Sequence, residues 1–380
     1  MTRRQSKNSF DSLGHCSHVN YAKFLAAIAI SCILPAIAPA IAAPPATAGS
    51  VTTSLDEATM SEAQELKDAG KTAEAIRILD KGIARHPRCE ALYTMRSDLR
   101  SEERNPEGAV ADLNQSITLN PQKKELFTRR ARIFLRVSQL EAAQFDINRA
   151  LKLKPEDNEA ITLRGGLYFK LGRFDRALQD LNLSIARDSK NYLAYFYRGA
   201  VEYRKKELKP AIADFTKAIE LEPSHTYAYQ SRGCAYGEIG EYKKALADFN
   251  KAVAGKNITP HIYFNRGRVY RLMNQFDKAL IDYNQAIRAG LPDKDPTAPV
   301  FLERAMVYLA IGRTHQALID VNHTIKTNNR DPRAFLLRGR IYKSMGNTQA
   351  ELKDLAKAKE LGATVKGVRP QPNPGPETSK

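Results

Sequence analysis

Residues Ala228 to Val253 read AYQSRGCAYGEIGEYKKALADFNKAV. Tyr229, Gly233 and Tyr236 stand at i, i+4 and i+7, which is one face of a helix. Gly240 interrupts, and Ala245, Phe249 and Ala252 repeat the spacing on a second helix. Small residues occupy the points where two backbones must approach, and large apolar residues fill the space beside them. Isolated helices under about 12–15 residues are marginal in water, so the unit needs neighbours.

The neighbours are in the chain. Equivalent units start at Asp56, Glu90, Lys124, Asn158, Tyr192, Thr226, Pro260, Ala298 and Pro332, a step of 34 residues broken once by four extra residues around Leu291-Pro292-Asp293. A fixed period of this length is the signature of a solenoid of helix pairs. The columns hold the register. The first small-residue column is Ala63, Ser97, Ala131, Gly165, Gly199, Gly233, Gly267, Ala305 and Gly339. The second is Ala75, Ala109, Ala143, Ala177, Ala211, Ala245, Ala279 and Ala317, with Glu351 in the last unit. The large apolar column runs Leu79, Leu113, Ile147, Leu181, Phe215, Phe249, Tyr283, Val321 and Leu355. Pro87, Pro121, Pro155 and Pro223 close four units, as suits a residue that cannot continue a helix.

These columns, with the tyrosine three after the small residue at Tyr168, Tyr236, Tyr270, Tyr308 and Tyr342, resemble the tetratricopeptide repeat family over about four fifths of the chain. The pattern departs at Leu66, Arg100, Phe134 and Glu202, where the tyrosine is missing. The resemblance implies an all-α fold, an α-solenoid of about nine antiparallel helix pairs wound as a right-handed superhelix across residues 56–365. It implies no cofactor and no catalysis. In agreement, no H-E-x-x-H, C-x-x-C, Walker-type loop or G-x-S-x-G occurs in the sequence. His315 and His323 are eight apart on one expected helix, about 12 Å at 1.5 Å per residue, too far to share a metal ion.

The ends differ in kind. Residues 1–23 are polar and basic, Phe24 to Ala43 is apolar and alanine-rich, and Ala40-Ile41-Ala42 and Ala46-Thr47-Ala48 fit an A-x-A cleavage site. Residues 1–42 therefore read as an export signal to a periplasmic or secreted location, with an uncleaved membrane anchor over 24–43 as the alternative. Membrane association is expected through that segment alone. Residues 43–55 read as a linker and 366–380 as a proline-rich disordered tail. Cys89 and Cys234 lie in units too far apart to meet, so both are expected free, and Cys16 and Cys32 fall in the leader.

The net charge is +17, of which residues 1–48 carry +3. Such a surface attracts acidic proteins, anionic membranes or nucleic acid. Part of the charge is columnar. Arginines precede the small residue in eight units, from Arg96 to Arg338, and aspartates recur in the same eight, from Asp112 to Asp354. Because the columns occur and vanish together, we read them as structural ion pairs, Arg232 with Asp248 and Arg266 with Asp282 among them. An asparagine column creates sequons at Asn114, Asn182 and Asn322 as a by-product of repeat composition, while Asn257 lies between units.

In the family resembled, the other face of the first helices lines a concave groove. The matching positions here include Arg132, Arg136, Lys170, Arg204, Arg268, Arg271, Arg340 and Lys343, with Phe169, Phe196, Tyr203, Tyr227 and Phe264 interleaved. The carboxylate clamp of some members is missing, since Thr94, Asp98, Thr128 and Arg132 stand at its positions. The expected function is a non-enzymatic scaffold. Its groove would hold a protein or peptide of acidic and apolar character. A nucleic-acid-binding helical repeat is the alternative, favoured by charge and aromatics and opposed by the export signal.

Overall fold

The computed structural model describes residues 54–255, 258–292 and 299–363. The leader, its cleavage sites, Cys16, Cys32, the Asn257 sequon and the tail from 366 to 380 lie outside these residues, as does all but the end of the linker. The described residues hold eighteen helices and no strand. They form nine pairs: α1 (Ser54–Asp68) with α2 (Thr72–Arg85), α3 (Glu90–Glu102) with α4 (Pro106–Leu119), and α5 (Lys124–Arg136) with α6 (Leu140–Leu153). Next come α7 (Asn158–Lys170) with α8 (Phe174–Arg187), α9 (Tyr192–Arg204) with α10 (Leu208–Leu221), and α11 (Thr226–Glu238) with α12 (Tyr242–Ala254). The last are α13 (Pro260–Leu272) with α14 (Phe276–Arg288), α15 (Val300–Ala310) with α16 (Thr314–Thr327), and α17 (Pro332–Ser344) with α18 (Thr348–Glu360).

The chain divides within α11 into two compact units, one reaching Ala228 and one starting at Tyr229. In the first, each second helix packs on the following first helix, as α2 on α3 and α8 on α9. First helices of neighbouring pairs also touch, α5 with α7 and α7 with α9. The second unit repeats both contacts, α12 on α13 and α14 on α15, and α13 with α15.

Packing within a pair explains the small-residue column. Phe215 and Tyr283 are fully buried, and each lies on the glycine of its own first helix. A Cβ at Gly267 would sit 2.8 Å from the Tyr283 ring, and one at Gly199 would sit 3.1 Å from Phe215. The turn between the helices needs left-handed backbone. Glycine supplies it at Gly70, Gly172, Gly240, Gly312 and Gly346, whereas Arg104, Ser138, Lys206 and Asn274 adopt it at φ of 58–66°. For a residue with a Cβ that conformation costs about 1–2 kcal/mol. Helix starts are fixed by caps at several pairs: Asn105 accepts from the Gly108 amide, Asp157 from Ala160 and Asn347 from Ala350. Cys89 is a buried free thiol.

The charged columns meet across each pair. Arg232 donates from Nε and Nη2 to the two carboxylate oxygens of Asp248, both at 2.8 Å. Arg266 does the same to Asp282 at 2.7 Å. Both aspartates are buried. Several of these guanidinia also lie over aromatic rings: Arg232 over Tyr229 and Tyr236 at 5.9 Å, and Arg304 over Phe301 at 5.3 Å and Tyr308 at 5.7 Å. The remaining arm reaches back one pair. Arg198 Nη1 donates to Asn182 at 2.8 Å, Arg266 to Asn250 at 2.8 Å and Arg338 to Asn322 at 2.8 Å. The asparagine column is thus the other half of an inter-repeat bond, and the sequons at Asn114, Asn182 and Asn322 hold asparagines already engaged by arginine.

Asp248→Ala should cost about 3 kcal/mol or more, because it strands the Arg232 guanidinium, whereas an exposed pair would cost about 0–1 kcal/mol. The double change with Arg232→Ala should recover part of the loss. Denaturant unfolding of the four variants in the cycle measures the coupling, and a coupling near zero would assign the columns another purpose.

Candidate partner-binding surface

In the first unit the last residues of three successive first helices are basic: Arg136 ends α5, Lys170 ends α7 and Arg204 ends α9. A cation there opposes the negative end of its own helix dipole. None of the three has a carboxylate partner among the described residues. Arg136 Nη2 donates to Ser101 Oγ at 2.6 Å. It is exposed, yet enough protein surrounds it that desolvation lowers its pKa, countered by Tyr227 three pairs further on. Lys170 is half-buried, and burial alone pushes its ammonium down to about 8. Arg204 lies over the Phe174 ring at 5.8 Å. Arg132, in contrast, is exposed and ion-paired with Glu159.

Aromatic residues stand along the same helices. Phe196 is half-buried, with its ring 6.1 Å from Phe215 and 4.7 Å, edge-on, from His225. Tyr192 and Tyr227 meet the same imidazole at 5.3 Å and 6.2 Å. This apolar cage pushes the His225 pKa down to about 4, and its Nδ1 is buried without a hydrogen-bond partner. Tyr203 is half-buried, with the Lys206 ammonium 5.7 Å over its ring. Glu202 replaces the tyrosine of its column. Burial raises its carboxyl to about 7, helped by the nearby Asp214 charge.

The surface corrects the sequence reading at four residues. Phe169 and Phe264 do not line a groove: they are 7% and 1% exposed. Phe169 packs 6.5 Å from the rings of Phe174 and Tyr197, and Tyr197 in turn fills the space that Gly166 leaves open. Phe264 packs against Tyr283 at 6.2 Å. Arg268 and Arg271 are not open to outside carboxylates, since both are turned to the buried Glu303 of the next pair. Arg271 Nε donates to Glu303 Oε2 at 2.8 Å, and Arg268 Nε is 3.7 Å from Oε1. Burial would raise Glu303, but Arg271 and Arg268 outweigh it and hold the carboxyl below its ordinary range. Further along this second unit, Arg340 is half-buried, and desolvation lowers its pKa. Lys343 is exposed and 3.6 Å from Glu351.

Glu303 and His225 escaped the sequence reading. Each stands at a position with no column identity, so the period carries no signal for them. Glu303 might have been sought as the acid one unit beyond two stacked arginines. Among the described residues no group of three or more His, Cys, Asp or Glu could hold a metal ion, and no helix is long and apolar enough to cross a membrane.

Comparison with known proteins agrees with the repeat. Two tetratricopeptide repeat models match, one at residues 128–191 and 162–226, the other at 226–254 and 260–289. No curated protein sequence matches the chain. Among solved structures, the chain is similar to the Cut9–Hcn1 hetero-tetramer of the APC/C, with TM-score 0.63, 13% identity, and 77% of this chain and 56% of that one covered. It is also similar to the human IFIT1 dimer with m7Gppp-AAAA, with TM-score 0.54, 19% identity, and 81% and 72% covered. A tetratricopeptide repeat protein from Parabacteroides merdae matches with TM-score 0.48, 21% identity, and 64% and 96% covered. At these identities the likeness concerns the fold.

His225 gives the surface an acid sensitivity. Its folded pKa of about 4 lies below the ordinary 6.5, so between those values the unfolded chain binds a proton that the folded chain refuses. Stability is whole above pH 6.5 and falls as pH drops toward 4. His225→Phe should flatten that limb of the melting-temperature profile, measured from pH 7 to pH 4.5. An unchanged slope would place the imidazole in a wetter setting.

Proposed function

This chain belongs to the tetratricopeptide repeat family, whose members bind protein or peptide partners, and we propose that it is a non-enzymatic scaffold whose first-helix face holds an acidic partner segment. The observation that carries the reading is the contrast between two sets of cations. The arginine column is spent on aspartates and asparagines inside the repeat. Arg136, Lys170 and Arg204 end three successive first helices without a carboxylate partner among the described residues, and desolvation lowers the pKa of Arg136 and Lys170. A cation stripped of water and left uncompensated gains most from an incoming anion. Half-buried Phe196 and Tyr203 on α9 and Tyr227 on α11 offer apolar area along the same first helices.

Charge reversal tests it. In affinity capture with the purified protein, Arg136→Glu with Arg204→Glu should lose a wild-type partner while helical circular dichroism and melting temperature hold. Titration of that partner should show affinity reduced by about tenfold or more and falling with salt, because exposed charges are screened beyond about 8 Å. Single-stranded RNA is the competitor in the same titration, and tighter binding by RNA than by any captured protein would overturn the reading.

We also propose that the protein is exported and works in the periplasm or outside the cell, supported by the basic start, the apolar run and the A-x-A sites near Ala42 and Ala48. N-terminal sequencing of protein from its native host should begin just after one of them. An intact Met1 in the membrane fraction would instead make residues 24–43 an anchor.

A further inference from the structure

We infer that copies of this chain join head to tail, α18 of one copy packing against α1 of the next as α16 packs on α17 within the chain. The contact continues an interface that the chain already builds. In that interface two columns of a second helix meet two columns of the following first helix. Leu318 and Ile325 of α16 share a core cluster with Ala334 and Ile341 of α17. Leu280 and Ile287 of α14 share one with Val300 and Val307 of α15. The direction of the pairing is fixed at α2 and α3. A Cβ on Gly82, the neighbour of Ile83, would sit 3.2 Å from Leu92, the α3 residue equivalent to Ala334. The end of a second helix therefore lies at the start of the next first helix, and its start lies at that helix's end.

The first and last described helices leave these columns open. Leu352, the α18 member of the column of Leu280 and Leu318, is 62% exposed, against 8% for Leu280. Lys359, also exposed, stands where the column from Ile83 to Ile325 is aliphatic in every other second helix. On α1, exposed Glu65 stands where every other first helix buries an apolar residue, from Leu99 to Ile341. An end that only had to face water would be polar and could carry either sign. Here a leucine is kept, and the two ends are opposite in sign. Glu57, Glu62 and Glu65 on α1 are exposed with no ion-pair partner among the described residues. On α18, Lys357 pairs with Glu360, which leaves Lys353 and Lys359 exposed and unpaired. In the register of the inner repeats Lys359 comes to Ala58, with Glu57 and Glu62 within a turn of it, and Leu352 and Lys353 come to Glu65. Facing charges of opposite sign fix the register and reject end-to-end contacts of like sign. The contact is heterologous, since each copy contributes a different end.

Sedimentation velocity of the purified full chain tests the inference. The average mass should rise with protein concentration. Glu65→Lys and Lys359→Glu should each weaken self-association by about tenfold or more, because each sets like charges against one another. Leu352→Ser should weaken it as well. An equimolar mixture of Glu65→Lys and Lys359→Glu should associate again, since each variant then meets an opposite charge at both of its ends. The exchange separates the end contact from the general repulsion between copies of net charge +17, which a salt titration would not do. All three positions are exposed, and thermal melts certify that each variant is folded. A chain that stays monomeric at every concentration would overturn the inference and leave α18 to another protein or to residues 364–380. Association unmoved by either reversal would place the contact on another surface, the apolar run 24–43 included. A mixture that stays as dissociated as its components would show that the two ends do not meet.

Discussion

One guanidinium per repeat holds this solenoid in register. The Arg232 fork is satisfied by Asp248 on the paired helix and sandwiched by Tyr229 and Tyr236, and its neighbours send their remaining arm to the asparagine of the preceding pair, as Arg266 does to Asn250. A helix pair has only a small apolar interface, and apolar contacts are non-directional. A planar, bidentate group adds what they lack, which is a fixed rotation and height of one helix against the next. Lysine could supply the charge but not the geometry. The column is interrupted only in the first unit, where His86 pairs with the buried Asp56 at 2.6 Å instead.

The same bookkeeping locates the protein's basic character. Eight column arginines face eight column aspartates, so the column adds nothing to the net charge of +17. The surplus must come from cations elsewhere. Some, such as Arg268 and Arg271, converge on Glu303. Others, such as Lys170 and Arg340, are partly desolvated with no opposing charge close enough to restore their ordinary pKa. Desolvating a cation without compensation is unfavourable for folding alone. Lys170, the last residue of α7, carries this cost most plainly, since burial alone lowers its pKa.

The architecture was legible from the period, because every unit repeats the same constraint nine times and noise at one position is outvoted by the others. The ion pairs were legible for the same reason: two columns that vanish together must serve one another. What the period did not carry is anything that depends on the next unit's non-columnar residues. Phe169 has the spacing of a surface aromatic, but Gly166 admits Tyr197 and the ring turns inward onto it. Arg268 and Arg271 read as free until Glu303 is seen at their side. The asparagines were recognised as a column but not as acceptors, since their donors lie sixteen residues on in another pair. Ser138, in left-handed backbone with a buried hydroxyl left without a partner, is likewise visible only in three dimensions.

Departures from the repeat occur near Arg136 and Arg204 and also outside that stretch, at the left-handed Arg104 and Asn274 and at the unsatisfied side chains of Gln230 and Thr259. Ser138 follows Arg136 by two residues, and the left-handed Lys206 follows Arg204 by two. Glu202 gives up the column tyrosine next to Tyr203, and His225 keeps an unpartnered nitrogen among Tyr192, Phe196 and Tyr227. Where the repeat is regular, glycine takes the turn, as at Gly172 and Gly240, and tyrosine the column, as at Tyr236 and Tyr270. Local rules tend to be broken where a sequence answers to something besides its own stability. The departures near Arg136 and Arg204 set no boundary around the basic residues, because the same kinds of departure recur at Arg104 and Asn274, where the turn has likewise given up glycine.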